Sequence, residues 1–339
     1  MNKPFFSIIV PVYNGMPFVK KCLENLCGQT FTDIEIILID DGSTDGSDNV
    51  CKHFQSIDDR ITFISNGHRG VSNARNCGLQ RAKGDWILFM DCDDVYSKET
   101  LMTLKHIIEL NNDVDLISGI FSRIDAEDHQ LSIYPHKNVG TFTFGKYVSN
   151  GSFYPAGACG HCLRNSIIRN NNLTFCEDLT VAEDALFMVH YCAYIRKVVL
   201  TDEVVYQYRI NPHSTMKSKR TIEKTKSQLS AAVMMYDSKK IGDEVYKKLT
   251  VLRAYNTVAI AILNVAQSQY SLGELISIYK DVSAKSEYMG YLSKREIICK
   301  YILSKLKESP ISCFILSMAC DKICCKSLLI SFLYIVLLT

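Results

Sequence analysis

Asp91, Asp93 and Asp94 close the run Gly84-Asp85-Trp86-Ile87-Leu88-Phe89-Met90-Asp91-Cys92-Asp93-Asp94. Carboxylates this close repel one another and resist desolvation unless a positive charge sits among them. A hard divalent cation, Mg²⁺ or Mn²⁺, meets that need, because it binds through one or two carboxylates and completes its shell with water and substrate phosphates. The expected chemistry is a metal joining protein to a diphosphate. The plain alternative is a solvated acidic turn that caps the next helix.

The elements upstream favour the first reading. Phe5–Val10 is a short apolar run broken by Pro11-Val12-Tyr13-Asn14-Gly15, and Phe18, Val19, Cys22, Leu23 and Leu26 follow at helical spacing. Ile34–Ile39 predicts a second strand ending at Asp40-Asp41, Ile61–Ser65 a third and Trp86–Met90 a fourth. Strands alternating with helices imply an α/β fold with a mostly parallel sheet and right-handed crossovers. Ligands of such sheets collect beyond the carboxyl ends of the strands. Pro11–Asn14, Asp40–Asp41 and Asp91–Asp94 all fall there.

These segments carry a family resemblance. SIIVPVYN, EIILIDDGSTDGS, NGHRGVSNARNCGLQRAKGDWILFMDCDD and VAEDALF, in that order over roughly residues 5–215, resemble the family 2 glycosyltransferases of GT-A (Rossmann-like) fold, of the non-processive bacterial kind. The resemblance implies an inverting transferase that uses a nucleotide-diphosphate sugar, most often a UDP-sugar, with Mn²⁺ or Mg²⁺. It places Pro11, Tyr13 and Asn14 along the base pocket, where an aromatic ring can stack on uracil. Asp40 would accept a hydrogen bond from the uracil imide or a ribose hydroxyl, and Arg75 would bind base or phosphate through its fixed fork of donors. Asp91 and Asp93 form the D-x-D pair, with Asp93 on the metal and Asp91 nearer the ribose; Asp94 is expected behind them or as a helix cap. Glu183-Asp184 supplies the catalytic base, Asp184 in the family pattern, which takes the acceptor hydroxyl proton. Two adjacent acids are equally at home in the first turn of a helix, where the dipole favours them. Arg209 and Ser214 would touch the diphosphate, and His213 is a candidate metal ligand against the plainer reading of a solvated loop histidine. The chain departs from the family at Gly160-His161-Cys162, where relatives commonly show Gly-Lys.

Other signals fail. Asp41–Lys52 begins like a calcium loop but presents Lys52 where a bidentate glutamate is required. The D-x-D of aspartate-nucleophile phosphatases would follow the first strand, not the fourth. The 14 cysteines scatter through expected strands and helices without a secretory signal, so reduced thiols packing as small hydrophobes are expected. No nucleic-acid motif appears, and a cytoplasmic location follows from the same reading.

The net charge of +2 hides an asymmetry. From Lys217 onward there are 19 Lys and Arg against 10 Asp and Glu, and 19 against 26 before it. The expected organisation is a GT-A domain over 1–216, a helical basic region over 217–310 and an apolar tail over 311–339. The tail's two apolar runs, Ile311–Ala319 and Leu328–Leu338, each fall short of the ~20 residues that span a bilayer. An interfacial tail on the inner face of the membrane is expected, against buried core helices as the alternative. The expected activity is transfer of one sugar to a lipid-linked oligosaccharide or similar acceptor in cell-surface polysaccharide synthesis. A sugar nucleotidyltransferase is disfavoured because Pro11–Gly15 is not a triphosphate loop. A non-catalytic sugar-nucleotide-binding protein is disfavoured by the intact acidic motifs.

Overall fold

The computed structural model describes residues 3–136, 138–149, 157–210 and 221–238, with further helical positions between 243 and 261. The chain divides into two compact units, residues 1–219 with 230–257 and residues 220–229 with 258–339. The first unit contains every element on which the site is built.

That unit opens with β1 (Phe6–Val12), α1 (Phe18–Cys27), β2 (Ile34–Asp40), α2 (Ser47–Ile57), β3 (Ile61–Ser65), α3 (Val71–Arg81) and β4 (Trp86–Phe89). There follow α4 (Thr100–Leu110), β5 (Leu116–Ile124), β6 (Gln130–Tyr134), β7 (Gly140–Thr143), α5 (Phe144–Ser149), β8 (His161–Arg164), α6 (Asn165–Asn170), α7 (Glu183–Cys192) and β9 (Lys197–Arg209). A further helix, α8, spans Ile222–Asp237.

The strands form one sheet in the order β3-β2-β1-β4-β8-β5-β9-β7, with β6 beside β5. The first four strands are parallel, as expected from alternating strands and helices. Beyond β4 the sheet turns mixed. β8 pairs antiparallel with both β4 and β5, and β7 with β9, while β5 and β9 run parallel. The reversal of strand order between β1 and β4 makes a crevice at their carboxyl ends, where a ligand binds in such sheets.

Every residue of β1 is buried, which is why its run is apolar on both faces. Phe6, Ile8, Val10 and Val12 join one core with Val19, Leu23 and Leu26 of α1 and with alternate residues of β2. Ile9 and Ile39 face α3, where Gly78 leaves the room: a Cβ there would lie 2.4 Å from Ile9 Cγ2. That close approach seats α3 on the sheet one turn after Arg75. Each large apolar side chain so buried contributes about 1.5–3 kcal/mol. Across the sheet, Gly119 serves β5 likewise, since a Cβ there would meet Val205 of β9 at 2.3 Å. Among the described residues, no helix is long and apolar enough to cross a membrane. The tail expected to touch a membrane lies outside the described residues.

Candidate active site

The loops after β1 and β2 are stitched together by the first turn chemistry of the chain. Asn14 takes φ 48°, and its Oδ1 accepts Thr44 N at 2.8 Å while its own N–H donates to Ser43 Oγ at 2.9 Å. Gly15 N donates to Ser47 Oγ and Met16 N to Asp45 Oδ2, both at 2.9 Å. The Asn14 side chain, expected along a base pocket, thus braces two loops. Pro11, expected there too, is buried inside β1 opposite Ile39. Tyr13 is 51% exposed and, unlike that of the exposed Asn14, its side chain is not tied to a neighbouring loop by a hydrogen bond among the described residues.

Its ring lies 4.8 Å from that of His68, tilted by 33°. His68 sits at φ 60° with Nδ1 3.1 Å from the Asp41 carbonyl oxygen. A ring nitrogen facing a carbonyl must carry the proton, so Nδ1 donates. Asp41 accepts from Asn66 Nδ2, Arg69 N and Gly70 N at 2.7–2.9 Å, which folds the 66–70 loop beside Tyr13. Asp40, buried at the end of β2, accepts from Ser43 N at 3.3 Å. His68 therefore joins Tyr13 in an aromatic edge that the sequence motifs did not single out. The signal available was an aromatic ring inside Asn66-Gly67-His68-Arg69-Gly70, a turn at the end of the third strand.

At the end of β4 the three aspartates separate in role. Asp94 is fully buried; its Oδ2 accepts Tyr206 Oη at 2.6 Å and its Oδ1 accepts Arg209 N at 2.7 Å. Burial, then the charges of Asp91 and Asp93, hold its carboxyl well above the usual carboxylate range. Tyr206 Oη also accepts Asp91 N at 3.1 Å, so one phenol fixes both aspartates. Asp91 keeps a side chain 40% exposed, bonded through Oδ1 to Arg75, and Asp93 is half-buried beside it.

Arg209, expected on the diphosphate, has its donors engaged within the protein. It is 1% exposed; its Nε donates to the Asp93 carbonyl and one Nη to the Asp125 carbonyl, both at 2.8 Å. Its second Nη pairs with Asp128, and the guanidinium lies 5.1 Å over the Phe18 ring. These partners tie the end of β9 to the D-x-D loop and turn the donors inward. Glu127 and His129, with Asp125, form the one group among the described residues that brings three ligand-type side chains together. That exposed turn is knitted by its own bonds, Glu127 N and His129 N donating to Asp125 Oδ1.

Arg75 is the centre of the arrangement. It is 5% exposed, donates through one Nη to Glu183 Oε1 at 2.8 Å and through the other to Asp91 Oδ1 at 3.1 Å. Its guanidinium lies 5.4 Å over the Phe175 ring. Arg75, expected on base or phosphate, thus bridges two acidic motifs 92 positions apart in sequence. Neighbouring residues of α3 hold the opposite wall: Asn76 exchanges hydrogen bonds with Phe175 N and O, and Asn73 and Asn76 both donate to Glu177.

Glu183 and Asp184 open α7, the position the helix-dipole reading anticipates, after Ala182 at φ 64°. Glu183 is committed to Arg75. Asp184 is half-buried against Gly157, bonded through Oδ1 to Ala185 N. Burial and the Glu183 charge push its carboxyl up to about 7, against the opposing pull of Arg75. A carboxylate of that affinity is suited to take and return a proton near neutral pH. His161, in the segment that departs from the family, is buried, and burial pushes its imidazole down to about 3. His213 and Ser214 lie outside the described residues.

The sequence model of Glycosyl transferase family 2 matches residues 7–200. The chain belongs to this family. Among family 2 relatives, it is 32% identical over 217 residues to the uncharacterised glycosyltransferase EpsJ of Bacillus subtilis, covering 62% of each chain. It is 28% identical over 302 residues to Glycosyltransferase GlyA of Streptococcus pneumoniae, covering 86% of this chain and 42% of that one. The chain thus spans between 42% and 62% of the length of these curated relatives. The structure of Staphylococcus aureus TarS 1–349 in complex with UDP-GlcNAc aligns with a TM-score of 0.66 at 19% identity, covering 90% of this chain and 91% of that one. A mannosyltransferase of Pyrobaculum calidifontis in complex with GDP-Man and Mn²⁺ aligns with a TM-score of 0.53 at 15% identity, covering 91% and 89%. Both likenesses show the shared GT-A sheet of the family.

Proposed function

We propose that this chain is an inverting glycosyltransferase that moves one sugar from a nucleotide-diphosphate sugar, a UDP-sugar, to a hydroxyl of a glycan acceptor. The observation that carries the reading is Arg75, bonded at once to Asp91 of the D-x-D pair and to Glu183 beside Asp184. It holds the diphosphate-binding edge and the proton-accepting carboxyl in one rigid frame. The aromatic edge of Tyr13 and His68, with buried Asp40 beside it, is the surface we assign to the donor's base.

In the reaction, the acceptor oxygen attacks the anomeric carbon as the bond from that carbon to the diphosphate oxygen breaks. The nucleoside diphosphate leaves with the bonding electron pair, and the acceptor hydroxyl proton passes to the Asp184 carboxylate. Glu183 is committed to Arg75, which leaves Asp184 as the carboxylate that takes the proton. Asp91 and Asp93 fit a hard cation, being carboxylates at a strand end that keep access to solvent, whereas buried, doubly bonded Asp94 does not. Mn²⁺ or Mg²⁺ held there supplies charge neutralisation for the leaving diphosphate.

UDP-GlcNAc, bound by the TarS relative, is the first donor to test. The acceptor we favour is a lipid-linked oligosaccharide of a cell-surface polysaccharide, reached from the inner face of the cytoplasmic membrane through the basic back third and apolar tail. The test is a panel of UDP- and GDP-sugars with Mn²⁺, followed by nucleoside diphosphate release with and without acceptor. UDP release that requires an acceptor supports the reading. Pyrophosphate turnover, or binding of every donor without release, contradicts it.

A further inference from the structure

A cleft of about 440 Å³ opens at the other end of the sheet from the acidic motifs. Phe5, just before β1, and Asp85 and Trp86, at the start of β4, line it, whereas Asp40 and Asp91 follow the carboxyl ends of their strands. The seven residues of β1 separate the two ends, about 20 Å at 3.3 Å per residue. Its volume lies within the roughly 300–1,000 Å³ of small-ligand sites.

The lining has a definite chemistry. Trp86 and Ile108 are buried beneath it. Its cations are mostly neutralised already: Lys3 pairs with Asp85, and Arg164 lies 3.5 Å from Asp115 while stacking 4.8 Å over the Trp86 ring. Of the cations lining it, Arg169 alone has no carboxylate partner among the described residues; it donates to the Ala82 carbonyl at 2.6 Å. A polyanion therefore finds little net attraction there. What the cleft does offer is uncommitted hydrogen-bonding capacity. Asn112, Ser166 and Asn170 stand exposed on its rim with no side-chain hydrogen bond among the described residues. Asn165, 7% exposed, donates to the Gly84 carbonyl at 2.6 Å and leaves its Oδ1 without a partner. An unsatisfied buried acceptor costs about 1–3 kcal/mol unless something donates to it.

Uncharged donors and acceptors left uncommitted among already paired charges match a saccharide, whose hydroxyls both donate and accept. We infer that this cleft binds a neutral saccharide segment of the glycan on which the chain acts. A second grip on a long acceptor keeps its reacting end near the donor edge by raising its effective concentration, with no new contact at the reaction centre. The inference rests on the proposed function for the identity of that glycan as the acceptor, but not for binding itself.

Trp86 is the chain's single tryptophan, so intrinsic tryptophan fluorescence reads the floor of this cleft and nothing else. The full chain is titrated with chitotetraose, maltotetraose and inorganic phosphate, each with and without saturating UDP. The expected result is a saturable change with at least one oligosaccharide that UDP leaves unaltered. Ser166→Arg, which fills the rim, and Asn170→Ala should each weaken it by roughly three- to ten-fold, the worth of one hydrogen bond. UDP affinity, read by calorimetry on the same samples, should be unchanged in both variants. Silence toward both oligosaccharides overturns the inference, as does a response to phosphate alone. A sugar response abolished by UDP also overturns it, because the sugar then sits at the donor edge. Loss of UDP binding alongside an intact sugar response would instead refute the donor reading and leave the cleft standing.

Discussion

Replacing Arg75 by methionine removes a buried cation and leaves two carboxylates that its fork had held. The Arg75 and Glu183 side chains are 7% and 10% exposed, so their pair is effectively desolvated. Breaking a buried pair by removing one partner costs about 3–5 kcal/mol, because the other charge stays behind unpaired. The second bond, to Asp91, adds little: that side chain is 40% exposed, and exposed pairs contribute about 0–1 kcal/mol. Arg75→Met should therefore lower stability by ~3–5 kcal/mol, a fall in Tm of roughly 10 °C for a unit of this size. Most of that cost belongs to stranded Glu183, so Arg75→Met combined with Glu183→Gln should melt well above the single variant. Lysine is a poor substitute, since one ammonium cannot span both carboxylates as a planar fork does. Differential scanning calorimetry on the four proteins of the cycle decides the matter. A single variant within about 2 °C of wild type would show that Arg75 is not the bridge, since ~3–5 kcal/mol cannot hide in so small a shift. A double variant that loses the sum of both single costs would show that the pair is not coupled.

Four further outcomes are expected. The Asp184 carboxyl must be ionised to accept a proton and is pushed up to about 7, so kcat should rise as pH increases through 7 and then level off; a profile flat from pH 5.5 to 8 contradicts the assignment. The same carboxyl keeps its proton in the folded chain between 3.8 and about 7, where the unfolded chain has lost it, so its contribution to stability declines as pH rises across that window. Asp93→Asn should weaken UDP binding in Mn²⁺ by calorimetry while leaving metal-free binding as it is; equal metal-dependent affinity would remove Asp93 from the cation's ligands. Binding of the full chain to anionic vesicles should weaken as salt rises, at ~1 kcal/mol per basic residue near the surface, and deletion after Pro310 should free the protein into the soluble fraction with UDP binding retained. Aggregation with loss of UDP binding would place the tail in the core.

The first half of the sheet was legible because each of its strands is a short apolar run ended by a turn and followed by a helical pattern. The alternation itself dictates parallel pairing. The mixed half was not. Leu116–Ile124 is interrupted by Gly119, whose reason is the close approach of Val205 more than eighty positions later. β6 and β7 are short and largely exposed, so no hydrophobic period marks them. In the site, Asp91, Asp93, Glu183 and Asp184 announced themselves as acids clustered at element ends. Arg75 and Arg209 are different, since a cation in sequence gives no sign of whether it faces a ligand or a buried carboxylate. Arg75 turns inward because α3 packs tightly through Gly78 and brings its side chain between Asp91 and Glu183. Arg209 turns inward because the Asp93 and Asp125 carbonyls lie at the end of its own strand. The partner of a buried charge is a fact of tertiary structure, and His68 reached Tyr13 through the same kind of long-range folding.

The central claim is that a sugar is transferred at the Arg75 frame with Asp184 taking the proton. Its most direct test is acceptor-dependent UDP release by wild type and by Asp184→Asn, with UDP-sugar saturating and donor affinity measured on both. The expected result is unchanged donor affinity and a kcat lower by ~10²–10⁴, the worth of a general base. A variant that binds donor normally and keeps most of its turnover would contradict the account.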